Sequence, residues 1–323
     1  MKTKNFNFKS FLKSNAIWGV FIIEVIIFAI ASGGAFIKGG NIINISRQVS
    51  YYGIAAIGMT FVILIAGIDL SIGSIITLVN VVCAWLMVKA GMNMWLAILI
   101  SLCMSTAIGL LNGGMVASIG IPALIATFAS QTIFEGVAYL ISGGRPISGL
   151  PSAFGLFGRW GFGPGAVKIP ICAILMVICF AVGSFILNKS YFGRYFYAIG
   201  GNEEAAELSG IRVVRVKYLI YALSGFFAGL AGIVLLSRSN SAQSTVGKGL
   251  EFDVITCVVL GGVSVNGGVG KISGVVAGVL IIGCLTNGMI LMDVSEYVQM
   301  VIKGIVLAVA VGIDCMSKKR QTV

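Results

Sequence analysis

The sequence predicts an all-α, polytopic membrane protein with about ten transmembrane helices, a single domain over residues 1–323. Three observations carry that expectation. Hydrophobic residues make up 58% of the chain and charged residues only 10%, a balance that water-soluble domains do not sustain. Mean hydropathy is +1.03. Apolar runs of the ~20 residues that a helix needs to cross a bilayer recur from one end of the chain to the other.

The first run, 17–37, follows Lys2, Lys4, Lys9 and Lys13. Ala29-Ile30-Ala31 mimics a signal-peptide cleavage site, but Glu24 in mid-run and the apolar continuation to Ile37 point to an uncleaved first span. Runs at 50–68 and 71–90 are nearly continuous and are parted by a turn at Ala66–Ser74, AGIDLSIGS. Spans at 94–117 and 121–141 lead into the longest outer connection, Ser142–Lys168, which carries Arg145, Arg159, Trp160 and three of the five prolines. A Gly/Pro-rich loop of this kind is a solvated connector or a surface for an external partner. After the span at 168–188 comes a polar island, Lys189–Lys217, then spans at 216–237, 251–266, 271–291 and 295–314. The outer connection Arg238–Gly249, RSNSAQSTVGKG, is polar without blocks of charge and suits a pore mouth.

With both termini inside, the inner segments hold 13 Lys/Arg and the outer ones eight, which follows the positive-inside rule and requires an even number of spans. The island therefore faces the cytoplasm. Its centre, Gly200–Ile211, reads GGNEEAAELSGI. Asn202 is placed to N-cap a short helix, Glu203 and Glu204 lie in its first turn where the helix dipole favours negative charge, and Gly210 fits a left-handed stop. A two-turn helix is unstable alone in water, so another element or another protein must hold it.

The remaining polar positions are few. Asp69 is expected to N-cap a helix starting at Leu70, with Ser71 assisting; the functional alternative is an ion or proton site, for which Glu24 and Glu135 are the other candidates. Asn112, Gln131 and Asn287 are placed within spans, for helix-to-helix hydrogen bonds or for a hydroxylated solute crossing the bundle. Glycines at a spacing of four, Gly109/Gly113, Gly225/Gly229 and Gly270/Gly274/Gly278, allow close helix approach in lipid.

Several functions are disfavoured. Histidine is absent, and the seven cysteines show no CxxC spacing, so neither a metal site nor a disulfide framework is expected, nor any cofactor. The net charge of +11 is spread over loops and termini with no basic stripe interleaved with aromatics, which argues against nucleic acid and for membrane lipid. GGVGKISG at Gly267–Gly274 lacks both the first glycine and the Ser/Thr of a phosphate loop, so the chain has no ATP site of its own. No nucleophile–base pattern points to an enzyme.

GMTFVILIAGIDLSIGS at Gly58–Ser74, FGRYFYAIGGNEEAAELSGI at Phe192–Ile211, SAQ at Ser241–Gln243 and VVLGGVSVNGG at Val258–Gly268 together resemble the permease subunits of ribose-type monosaccharide ABC importers of bacteria. The likeness covers nearly the whole chain, with one departure: ribose permeases commonly carry proline after SAQ, where this chain has Ser244. The resemblance implies a ten-helix type II importer fold in the manner of vitamin B12 importers, in the bacterial inner membrane with both termini cytoplasmic. It implies a second permease protomer, an ATP-binding subunit beneath and a periplasmic sugar-binding protein above. The coupling segment is then 189–217, with Asn202, Glu203, Glu204, Ala205, Ala206, Glu207, Ser209 and Gly210 docking on the ATPase. Loop 142–168 becomes periplasmic, and Arg145, Arg159, Trp160 and Gln243 become candidate contacts with the binding protein. Asp69, Ser71, Asn112, Gln131 and Asn287 become candidates for the pathway or its structural turns. The rival reading is an ion-coupled secondary transporter using Asp69, Glu24 or Glu135.

Overall fold

Buried along one face or all round, every apolar run of the sequence contains a helix. A computed structural model describes residues 16–163 and 168–319. Lys2, Lys4, Lys9, Lys13 and Arg320, used above for orientation, and Pro164-Gly165 of the outer connection lie outside the described residues. The helices are α1 (Ala16–Ala31), α2 (Gly39–Leu64), α3 (Ile72–Val88), α4 (Met94–Gly114), α5 (Ala123–Ser142), α6 (Ile171–Lys189), α7 (Tyr191–Gly201), α8 (Glu203–Leu208), α9 (Val213–Ser239), α10 (Leu250–Leu260), α11 (Ile272–Leu291) and α12 (Glu296–Lys319). Among the described residues six helices are long and apolar enough to cross a membrane, running Met94–Ile119, Ala123–Ser142, Ile171–Lys189, Val213–Ser239, Ile272–Leu291 and Glu296–Met316. Ile17–Ala31 and Ile72–Val88 are apolar but shorter.

At the centre stands α2. Its residues from Gln48 to Leu64 are all buried, the mark of a helix that is apolar all round and surrounded by others. α9, α11, α6 and α10 pack around it, α9 also packs on α4 and α3, and α3 packs on α5. Association between apolar helices in lipid rests on van der Waals contact rather than on water exclusion, so close backbone approach decides where helices meet. α4 and α9 meet in that way: a Cβ added at Gly225 would lie 3.0 Å from the Gly109 backbone, and one at Gly113 would lie 3.0 Å from Cα of Tyr218. The fourfold spacing of glycines is therefore a packing device here, as the sequence suggests.

Two elements depart from expectation. α2 begins at Gly39, not near residue 50, because the stretch before Tyr51 continues the helix despite Arg47. The run 251–266 does not form a spanning helix: α10 has only 11 residues, or ~17 Å at 1.5 Å per residue against the ~30 Å of a bilayer core. The segment before it dips into the bundle. Its backbone is satisfied on the way in, as buried non-helical chain must be. Ser241–Ala242 (β4) pairs with Ile147–Ser148 (β1), Gln243 N–H donates to Asn80 Oδ1 at 3.3 Å, and Gly247 N–H donates to Thr77 Oγ1 at 2.9 Å.

The outer connection is folded down rather than loose. Gly161–Phe162 (β2) pairs with Ile169–Pro170 (β3), Phe154 is fully buried, and the Ser237 hydroxyl of α9 donates to its carbonyl.

Candidate functional site

The polar island folds into α7 and α8 and a turn between α8 and α9. Asn202 caps α8, its Oδ1 accepting from Ala205 N–H at 3.0 Å, and Glu203 and Glu204 occupy the first turn. The other end closes with Gly210 at φ +87°; Gly210 N–H donates to Glu207 O at 2.9 Å and Ile211 N–H to Ala206 O at 3.1 Å, the double bond pattern of a Schellman stop. Both caps are those the sequence marks. α8 is nonetheless only six residues long, and its stability comes from its seat. Ala206 is buried against the bundle, while Glu203 accepts from Lys217 Nζ at 2.7 Å, tying α8 to the start of α9.

One side chain that sequence reasoning missed stands out. Leu208 is 90% exposed, at the end of α8 and between Glu207 and Ser209, both also exposed. A single exposed leucine is ordinary on a surface. This one projects from a helix rigidly held at both caps, and the signal available in the sequence was only its place inside the capped segment.

The seat is built from backbone. α7, absent from the sequence expectation, ends at Gly200-Gly201. A Cβ at Gly200 would collide with the Leu64 carbonyl at the end of α2 and lie 2.5 Å from Gly268 N. Gly268 N–H donates to Leu64 O at 2.9 Å, and Tyr197 of α7 donates to Gly270 O at 2.8 Å; burial pushes that phenol above its usual pKa, so it stays a donor. The turn Ser264–Gly270 is gripped from the other side by α12, where Asp314 Oδ2 accepts from Ser264 Oγ at 3.0 Å and from Val265 N–H at 3.1 Å. Asp314 is a second residue that sequence reasoning missed, since nothing local marks it. Three chain segments far apart in sequence thus lock at one end of the bundle: the end of α2, the end of α7, and the α10–α11 turn.

Next to that lock lies the AGIDLSIGS turn, where the structure corrects one expectation. The helix starts at Ile72 with Ser71 in the N-cap position, not at Leu70 under Asp69. Asp69 instead closes a turn on itself: Ser71 N–H (3.0 Å) and Ser71 Oγ (2.6 Å) donate to its Oδ1, and Ser224 Oγ of α9 donates to Oδ2 at 2.7 Å. A short carboxylate bonding two residues ahead is the usual Asx turn. Asn112 Nδ2 donates to Ser71 Oγ at 2.8 Å, and Ser130 donates to Asn112 Oδ1. Asp69, Ser71 and Asn112 therefore belong to one fully buried network joining α3, α4, α5 and α9. Gln131 and Asn287 do not. Gln131 Nε2 donates to Glu251 Oε1 at 3.0 Å and Glu135 Oε1 at 3.4 Å, and Asn287 Oδ1 accepts from Asn41 at 2.8 Å. Glu24, on α1, has both carboxyl oxygens buried with no partner. The three carboxylates considered for ion coupling thus fall in separate places and share no partner.

Asp69→Ala is expected to orphan the Ser71 and Ser224 hydroxyls and to cost about 3 kcal/mol, whereas Asp69→Asn keeps one carbonyl acceptor and costs about 1 kcal/mol. Thermal unfolding of the two purified variants in detergent checks the difference.

On the opposite end of α9, Trp160 is 56% exposed and Arg145 and Gln243 are exposed, while Arg159 is half-buried. Arg159 offers its carbonyl to Arg47 at 2.7 Å. Leu150, Ser152, Arg159, Trp160 and Asn240 line a shallow depression of about 410 Å³. The β1–β4 pairing brings Gln243 to the same face.

Comparison with known proteins points one way. Residues 41–311 match the family described as branched-chain amino acid transport system / permease component. Ribose import permease protein RbsC of Bacillus subtilis is 44% identical over 298 residues, covering 92% of this chain and 90% of its own. Ribose import permease protein RbsC of Haemophilus influenzae is 42% identical over 316 residues, covering 97% and 96%. L-arabinose transport system permease protein AraH of Escherichia coli is 38% identical over 281 residues, covering 86% and 84%. No solved structure matches the chain.

Proposed function

The chain belongs to the family of permease components described as branched-chain amino acid transport system / permease component, and we propose that it is the membrane subunit of a bacterial ABC importer for ribose or a related monosaccharide. The relatives named for ribose and arabinose import supply the substrate class. The observation that carries the mechanism is α8: a capped two-turn helix with Leu208 90% exposed, joined by backbone contacts through Gly200 to the end of the central helix α2. A helix so short and so well anchored is suited to receive force, and Asn202, Glu203, Glu204, Ala205, Glu207, Ser209 and Gly210 border the surface that would meet an ATP-binding subunit. Ala206 serves as the inward anchor and Lys217 is engaged with Glu203.

In this reading ATP binding draws two partner subunits together, α8 moves as a lever, and the bundle switches between outward-open and inward-open states. The chain contributes no chemistry to hydrolysis. Ten spans in the manner of the vitamin B12 importers, an inner-membrane location and cytoplasmic termini go with the same reading, as do a second protomer and a periplasmic binding protein. α12 supports the second protomer or lipid, with Tyr297, Met300, Ile305 and Ile313 all more than half exposed. Arg145, Arg159, Trp160 and Gln243 are the surface offered to the binding protein, and the Asp69 network serves as a packed node rather than as an ion site.

Reconstitution tests the proposal. Radiolabelled ribose uptake into proteoliposomes is expected to require ATP, the ATPase subunit and the binding protein together. Uptake driven by a proton or sodium gradient without the ATPase would overturn it.

A further inference from the structure

A cavity lies apart from α8 and from the Asp69 network, beside the Arg238–Gly249 connection. It measures about 730 Å³, opens to the surface on one side, and is lined by α2, α10, α11 and α12 together with the end of α9, within the ~300–1,000 Å³ usual for small-molecule sites. We propose that this cavity is a monosaccharide-binding station inside the permease, with Tyr52, Asp253, Lys303 and Gln299 as the groups that hold the sugar. The inference rests on the functional reading above and gives that reading a place for the solute.

Four features support it. First, the cavity sits where a non-helical segment that enters the bundle meets the start of a short helix. The tip of the dipping segment, Lys248-Gly249, and the first turns of α10, Phe252, Asp253 and Thr256, form one wall; interrupted helices at membrane depth are where transporters place their sites, because freed backbone and helix ends become available to solute. Second, the polar groups suit an uncharged polyol. Asp253 accepts from Lys303 Nζ at 2.7 Å and from Tyr52 Oη at 3.0 Å. Both bonds fall on Oδ2, leaving Oδ1 to accept from a ligand hydroxyl. Because the carboxylate and ammonium already offset each other, the pair offers hydrogen bonds without demanding a charged solute. Third, the apolar side chains of Phe252, Ile290, Met300 and Leu307 line the cavity beside this pair, and Tyr51 and Tyr52, packed on each other at 4.5 Å between centroids, contribute to its wall. Apolar faces next to convergent donors and acceptors match the two-sided surface of a sugar ring.

The fourth feature is mechanical. Tyr52 and Leu64 are on one helix, ~18 Å apart along its axis at 1.5 Å per residue, and Lys303 and Asp314 are ~17 Å apart on another. Leu64 and Asp314 both hold the Ser264–Gly270 turn beside α7 and α8. Two walls of the cavity are therefore fixed to the same small module at the far end of the bundle, and displacement of that module moves Tyr52 and Lys303 together.

The test uses the whole importer in proteoliposomes, with radiolabelled ribose uptake and binding-protein-stimulated ATP hydrolysis read in parallel. Tyr52→Phe and Gln299→Leu remove one polar group each. Both are expected to slow uptake about tenfold, the loss typical of one good hydrogen bond to a bound ligand, with hydrolysis within about twofold of wild type. The exchange Asp253→Lys with Lys303→Asp keeps an ion pair but reverses its polarity; it is expected to assemble with the ATPase subunit and to transport nothing. Wild-type uptake in all three, or uptake and hydrolysis falling in constant ratio, would reduce these residues to a structural role and overturn the site. An unmodified importer that moves no ribose on ATP would instead defeat the functional reading, and the site with it.

Discussion

Leu208→Asp is expected to abolish association with the ATPase subunit while leaving the permease folded. Leu208 is 90% exposed, so the folded chain gains almost nothing from it, and thermal unfolding of the variant should match wild type. Burying a leucine in a partner groove is worth about 1.5–3 kcal/mol, roughly ten- to a hundredfold in affinity, and an aspartate adds the desolvation of a charge. Leu208→Ala should therefore weaken binding about tenfold and Leu208→Asp beyond detection by co-purification. Normal recovery of the ATPase with Leu208→Asp would remove α8 as the docking element, since no other large apolar side chain lies on it.

Gly200→Ala should sever the link between α8 and the bundle. The atoms that a Cβ would meet are the Leu64 carbonyl and Gly268 N, both backbone and already hydrogen-bonded to each other at 2.9 Å, so neither is free to yield. Forcing atoms into a packed site costs ~1–3 kcal/mol, here at the one place where α7, α2 and the Ser264–Gly270 turn meet. Gly201 supplies the internal control: a Cβ there meets nothing within 4 Å, and alanine should be accepted. The expected outcome is ATP-driven uptake reduced at least tenfold in Gly200→Ala, with faster limited proteolysis around 201–212, and neither change in Gly201→Ala. Equal behaviour of the two variants would show that the α7–α2 contact carries no force.

Much of this protein was legible without its structure. The membrane class followed from composition, because apolar content on this scale has no other stable home. The limits of α8 followed from Asn202 and Gly210, because caps are local: each satisfies backbone groups within a few residues of itself, so residue type and spacing suffice. Glycine periodicity marked close helix contact because a spacing of four lines small residues along one helix face. Asp69 shows the limit of local reasoning. Its acceptance from Ser71 is a two-residue matter, but Ser224 comes from a different helix, and that non-local bond fixes what the carboxylate does. The departure at 251–266 has a similar source: apolar content alone favours a spanning helix, whereas Asn80 and Thr77 of α3 bond the preceding backbone and let the chain enter the bundle before its helix begins.

By itself, then, the sequence determined what is set by solvent and by near neighbours along the chain: an α-helical membrane protein with a capped polar helix on one face. Only the tertiary structure decided which distant segments meet. It placed Gly200 on Leu64, Asp314 on the Ser264–Gly270 turn, and Lys303 on Asp253 within a cavity. Contacts of that kind join particular residues across helices, and a periodicity marks that a helix face packs closely without naming the residues it meets.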